Sequence, residues 1–219
     1  MPLLDLGPDQ LLSTTRAVRK RLDLDRPVDD DVIRECVAAA MQAPSGSNKM
    51  TMQFVIVRDA EVKRAIGDVY RQCYDIYRTL DGIYIGSIDK GDEAMNAQQA
   101  RSAASADFLA DRIGLAPALV IPCSVGGRAD GLPAMVAASL FGNVMPATWS
   151  FMLAARARGL GTCWTSLHLM KEKDVADILG LPFESVQQVC LSPLAYTVGT
   201  DFKPAARPDP ESIIHWDRW

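Results

Sequence analysis

Residues 132–155 read LPAMVAASLFGNVMPATWSFMLAA, a stretch without one charged side chain. Its length would cross a bilayer, which takes about 20 apolar residues. Ser139, Asn143, Thr148 and Ser150 interrupt the run with polar groups, Pro133, Gly142 and Pro146 interrupt it with poor helix formers, and its apolar residues are largely Ala and Met. The expectation is therefore a central helix over 134–158, enclosed by protein rather than lipid, because a helix apolar all round is normally buried. Gly159, after Arg156 and Arg158, supplies its stop. A helix this long needs cover on every side, and a second copy of the chain would supply part of it.

The rest of the chain agrees with a globular protein. Of 219 residues, 48% are hydrophobic and 23% charged, which argues against disorder, fibrous repeats and coiled coils. No repeat or low-complexity linker divides it, so one domain over residues 1–219 is expected. Lys plus Arg number 23 against 27 Asp plus Glu, a net charge of −4 that disfavours a nucleic-acid partner. The N-terminal MPLLDLGPDQLL has no basic residue ahead of its leucines, unlike a secretory signal. The five cysteines (Cys36, Cys73, Cys123, Cys163, Cys190) are scattered without a CxxC pair, so a reducing, cytoplasmic setting is expected rather than a disulfide framework or zinc site.

Apolar spacing predicts helices over 9–22, 30–42, 60–80 and 93–113, the third with Tyr70, Cys73, Tyr74 and Tyr77 on one face. FVIV (54–57) and ALVIPCSV (118–125) read as strands, and TCWTSL (162–167) as a third extended segment. KEKDVADILG predicts a short helix, and VQQVCLSPLAYTVG a strand pair or a strand bent at Pro193. The tail from Asp201 carries three prolines and no regular pattern. Helices outnumber strands without strict alternation, which favours α+β.

No chemistry of the familiar side-chain kinds is signalled. His168 and His215 stand apart with no HExxH or paired-cysteine context, so no metal site is expected. GxSxG, GxGxxG and the P-loop pattern are absent. Three segments remain. Arg16-Ala17-Val18-Arg19-Lys20-Arg21 would place Arg16 and Arg19 on one helix face, as a phosphate clamp or as a solvated basic stripe. Ala43-Pro44-Ser45-Gly46-Ser47-Asn48 is a ligand-cradling loop or a plain helix-to-strand turn. Gly159 to Ser166 (GLGTCWTS) is a ligand-facing helix end or a simple glycine stop.

Taken in order, these segments resemble the nitroreductase family of FMN-dependent oxidoreductases. The family pattern R-R-S-x-R is matched by Thr15-Arg16-Ala17-Val18-Arg19, with Pro27-Val28 after it. A-P-S-x-x-N-x-Q-P-W is matched by Ala43 to Met52, a helix ending in G-L-G by Gly159-Leu160-Gly161, and the C-terminal V-G with a basic residue by Val198-Gly199 with Lys203 and Arg207. Thr15 and Ala17 depart from an Arg and a Ser, and Met50-Thr51-Met52 from Gln-Pro-Trp.

The resemblance implies an α+β fold with a mixed central sheet flanked by helices, and an obligate homodimer joined through its long central helices. Each of two FMN sites would draw on both chains, and the tail at about 200–219 would wrap the partner. Arg16, Ala17 and Arg19 would meet the phosphate, assisted by Lys203 and Arg207. Pro44, Ser45, Ser47 and Asn48 would line the ribityl chain and ring edge, with Lys49 near flavin N1. The backbone of Thr165 and Ser166 would face flavin N5, beside Trp164 and Leu167. No catalytic side chain is required, since the flavin carries the hydride. Electrons would pass from NAD(P)H to a nitroaromatic, quinone or similar small-molecule acceptor by a ping-pong mechanism, with no membrane partner. Dehalogenation, enone reduction and flavin breakdown on the same fold stay open, as does a non-catalytic dimeric ligand-binding protein.

Overall fold

The computed structural model describes residues 3–219. Helix α1 (Pro8–Thr14) leads into a non-helical strap, and α2 (Asp30–Ala40) into strand β1 (Met52–Val57). Helices α3 (Ala60–Tyr77) and α4 (Glu93–Arg112) precede β2 (Ala118–Val125). The long α5 (Ala134–Ala157) turns through Gly159, at φ 74°, into β3 (Leu160–Thr162). Then come α6 (Glu172–Leu179), β4 (Val186–Gln188) and β5 (Ser192–Tyr196). The break before β5 falls at Val189–Leu191 rather than at Pro193, which sits inside β5 opposite Leu119.

The sheet runs β1-β2-β5-β3, with β4 also beside β2. Every strand ladder is antiparallel. The expected mixed sheet thus reduces to one parallel bridge, Ala17 to Thr162.

Alternation along β2 explains the core. Leu119, Ile121 and Cys123 face α3, α4 and α6 in one apolar cluster, and Ala118 and Val120 face α2 and α5 in the other. Helices therefore cover both faces, and β2 reads as a near-continuous apolar run for that reason. α5 runs close to the expected range, 134–157 against 134–158. Its C-terminal half is enclosed, with Ala147, Phe151 and Ala155 buried, yet Met135 is 77% exposed and Trp149 42%. Only 28% of its most apolar window is buried, so a single chain does not enclose this helix.

Candidate functional site

The strap is the first correction to the sequence expectation. The helix expected over 9–22 ends at Thr14, where two hydroxyls compete with the backbone: Thr14 Oγ1 donates to Gln10 O at 2.6 Å and Thr15 Oγ1 to Leu11 O at 2.7 Å. The chain then passes the open edge of β3 at Ala17 and Val18 and turns at Arg19–Leu22, where Leu22 N–H donates to Arg19 O at 3.2 Å. Val18 N–H donates to Thr162 O at 2.8 Å, and Leu22 forms a bridge with Thr197. This approach requires Gly161, whose missing Cβ would lie 2.9 Å from Val18 Cβ and 2.8 Å from Thr197 Cγ2. Arg16 and Arg19 are consequently not neighbours on a helix face.

The path of the strap and its turn sort the basic cluster. Val18 is buried inward, while Arg19 reaches over to α4, where Nη1 donates to Ser105 Oγ at 3.2 Å. Arg21 is occupied by the tail, paired with Asp201 at 2.7 Å and bonded to Val198 O at 2.8 Å. No carboxylate pairs with Arg16, Arg19 or Lys20 among the described residues, which leaves net positive charge on the strap.

Beyond β3, Thr165 forms a bridge with Leu191. Its N–H donates to Leu191 O at 3.0 Å, and Leu191 N–H returns to Thr165 O at 2.8 Å. Of the two backbone groups the resemblance points to, Thr165's donor is therefore already committed, whereas Ser166 N–H has no backbone partner among the described residues. Thr165 anchors the segment and Ser166 presents the donor. Trp164 stands partly exposed beside them.

These pieces border two cavities. One, of about 260 Å³, is walled by Tyr70, Tyr74 and Tyr77 of α3, Ala106 and Leu109 of α4, Trp164 to Leu167, and Arg19. The other, of about 170 Å³, is lined by Ala17 to Arg21, Ser105 and Phe202. Arg19 is common to both. The tyrosines are held in place: Tyr74 donates to Asp107 Oδ1 at 2.9 Å, and Tyr77 Oη accepts Ile85 N–H at 2.7 Å, which folds the 81–92 loop over the aromatic wall. Burial pushes the Tyr70 and Tyr74 phenols up, so both stay neutral donors. Burial also pushes up the thiol of Cys163, behind Trp164, which makes it a poor nucleophile.

The tail supplies a wedge. Phe202 lies under the Arg21 guanidinium at 4.2 Å and near that of Arg156 at 4.9 Å. Arg156 is buried, donates to Thr200 O at 2.9 Å and Thr14 Oγ1 at 3.3 Å, and has no carboxylate partner among the described residues. Lys203 and Arg207 are exposed and line neither cavity. Arg156 and Phe202 escaped the sequence reading, because a helix-end arginine reads as a dipole cap until the tail folds back on it.

The loop Pro44, Ser45, Ser47 and Asn48 is not brought to these cavities within one chain. It is bonded to α5 at Asn143, thirteen positions before Arg156, roughly 20 Å along the helix axis. Among the described residues no His, Cys, Asp or Glu cluster could hold a metal ion.

The nitroreductase family model matches residues 12–199. Solved structures share the fold at low identity. A BluB-like flavoprotein from Clostridium difficile superposes with a TM-score of 0.69 at 18% identity, covering 96% of this chain and 99% of its own. Iodotyrosine deiodinase bound to FMN and 3-iodo-L-tyrosine gives 0.68 at 19%, covering 95% and 98%. A nitroreductase-like family protein from Bacillus cereus gives 0.66 at 18%, covering 98% of each. With strap, glycine turn and helix pair all inside the matched span, the chain belongs to the nitroreductase family.

Proposed function

We propose that this chain is an FMN-dependent oxidoreductase that moves two electrons, as hydride, from NAD(P)H to a nitroaromatic, quinone or similar acceptor. The observation that carries this reading is Arg19, the common wall of an aromatic cavity and a basic one. Together they suit a ligand planar at one end and anionic at the other. The donors fit FMN: Arg16 and Arg19 have no carboxylate partner among the described residues to compete with a phosphate, and Ser166 N–H is free of backbone partners. The deiodinase that shares the fold is itself described with FMN bound.

In this reading Arg16 and Arg19 hold the phosphate. Ala17 leaves room beside them. Ser166 N–H, held in place by the Thr165–Leu191 bridge, would be the donor offered to the flavin ring. Trp164 and the tyrosine wall exclude water and cover a flat acceptor. Bound FMN would supply the hydride chemistry, taking two electrons from the donor and returning them to the acceptor. The working unit is a homodimer. The exposed apolar face of α5, with Met135, Met145 and Trp149, is the seam, and the exposed Ile213, Trp216 and Trp219 of the tail reach the partner. A second chain then brings its own Pro44–Asn48 loop to the flavin.

The test is a fluorescence titration of the purified protein with FMN, with light scattering for mass. Wild type binds FMN as a dimer, and NADH or NADPH bleaches it anaerobically. Arg19→Ala weakens FMN binding by about 1.5–3 kcal/mol, the scale of a charge-assisted hydrogen bond. Protein that takes up no flavin overturns the reading.

A further inference from the structure

The loop between α2 and β1 is strained. Ser47 and Asn48, neither a glycine, stand consecutively at φ 54° and 53°. Asn tolerates this left-handed conformation, but a serine there is uncommon and two successive non-glycine residues more so. The loop's own bonds, Asn48 N–H to Ser45 O at 3.2 Å and Lys49 N–H to Gly46 O at 3.0 Å, close it locally. Gly46 to Met50 are all exposed, so packing does not hold them.

What fastens the loop to the fold is Asn143. This carboxamide sits in the middle of apolar α5 and is 9% exposed. Its Oδ1 accepts Gly46 N–H at 2.5 Å, and its Nδ2 donates to Thr51 Oγ1 at 3.4 Å. One side chain thus ties both ends of the loop. The orientation is determined, because a backbone N–H can only donate and must meet the oxygen. Gly46 permits the closeness: a Cβ there would lie 3.1 Å from Oδ1.

A buried amide in an apolar helix and two left-handed residues both cost stability, and an exposed loop returns no burial for them. That combination suits preorganisation for a ligand. We infer that Asn143 is a positioning residue for cofactor binding: from α5 it holds Ser45, Ser47 and Asn48 in the shape that receives FMN, without touching the cofactor itself. The inference rests on the FMN reading above.

The experiment titrates FMN into wild type, Asn143→Ala, Asn143→Asp and Thr51→Val, and records the melting temperature of each flavin-free protein and the visible circular dichroism of bound flavin. Asn143→Ala raises the FMN Kd about tenfold and alters the flavin dichroism, one hydrogen-bonded anchor being worth about that factor. Asn143→Asp, which keeps the acceptor for Gly46 N–H, binds within about threefold of wild type, and Thr51→Val falls between the two. A folded Asn143→Ala with unchanged Kd, or one that lowers only the melting temperature, overturns the inference. If Asn143→Ala does not fold, a wild-type Kd in Thr51→Val overturns it. Wild type that binds no FMN overturns the FMN reading and this inference with it, whereas wild-type binding with an indifferent Asn143 overturns the inference alone.

Discussion

Replacing Gly161 by Ala tests whether the close approach of strap and β3 builds the phosphate end of the site. The added methyl would meet Thr197 Cγ2 at 2.8 Å, Val18 Cβ at 2.9 Å and Leu22 Cδ2 at 3.0 Å. Ordinary carbon contacts lie at about 3.5–4.0 Å, so the neighbours must retreat by roughly 0.5–1 Å. Val18 and Thr197 are β-branched and stiff at χ1, so the strap itself has to move rather than a side chain rotate. Overpacking of this kind costs about 1–3 kcal/mol, and three simultaneous contacts place the cost near the upper end. In a domain of this length about 2–3 kcal/mol lowers the melting temperature by roughly 5–10 °C. Arg19 travels with the strap, so FMN affinity falls alongside. Calorimetry and flavin titration of Gly161→Ala measure both. Gly7→Ala is the control: Gly7 has φ −63° and nothing within 4 Å of its missing Cβ, so the change stays within about 0.5 kcal/mol of wild type. A Gly161→Ala protein that melts and binds FMN like that control refutes the argument.

Two further outcomes follow from buried polar groups. Glu172, 8% exposed, accepts from Arg128 Nη2 at 2.7 Å, Gln187 Nε2 at 3.0 Å and Gln188 N–H at 2.8 Å. Glu172→Gln removes the buried partner of Arg128 and leaves it only the exposed Asp130, at 2.8 Å, which costs about 1.5–3 kcal/mol in urea unfolding, while the double change to Met at both positions recovers part of that loss. His168 is fully buried, and neither ring nitrogen has a partner among the described residues, so burial lowers its pKa from 6.5 to about 4. The folded protein keeps it neutral while the unfolded chain takes a proton, so its contribution is complete above pH 6.5 and lost as pH falls towards about 4. Between those limits wild type loses roughly 3 kcal/mol relative to His168→Leu in pH-dependent unfolding; parallel stability curves for the two refute the assignment.

Much of the architecture was legible in the residues. The periodicity of 30–42, 60–80 and 93–113 and the apolar runs at 54–57 and 118–125 correspond to α2, α3, α4, β1 and β2. Each element there buries a face by its own period, so the pattern is local. The segment 9–22 misled because its apolar spacing continues past Thr14, while the competing partners, Thr162 and Thr197, lie far along the chain. The site divides in the same way. Arg19, Trp164 and Ser166 were named from their motifs, and the tyrosine face from its spacing. Asn143, Arg156 and Phe202 were not, since a lone amide in an apolar run and a tail phenylalanine carry no periodic signal.

By itself the sequence determined the class of fold, the family and the residue types available to a phosphate and a planar ligand, because apolar periods and short motifs are local properties of a chain. Only the tertiary structure decided that the basic segment is a non-helical strap and that Thr165 commits its N–H to Leu191. It alone placed Arg19 between two cavities and tied the 45–51 loop to Asn143. Those outcomes depend on which distant backbone groups meet, and on a missing Cβ at Gly161 that lets them meet so closely.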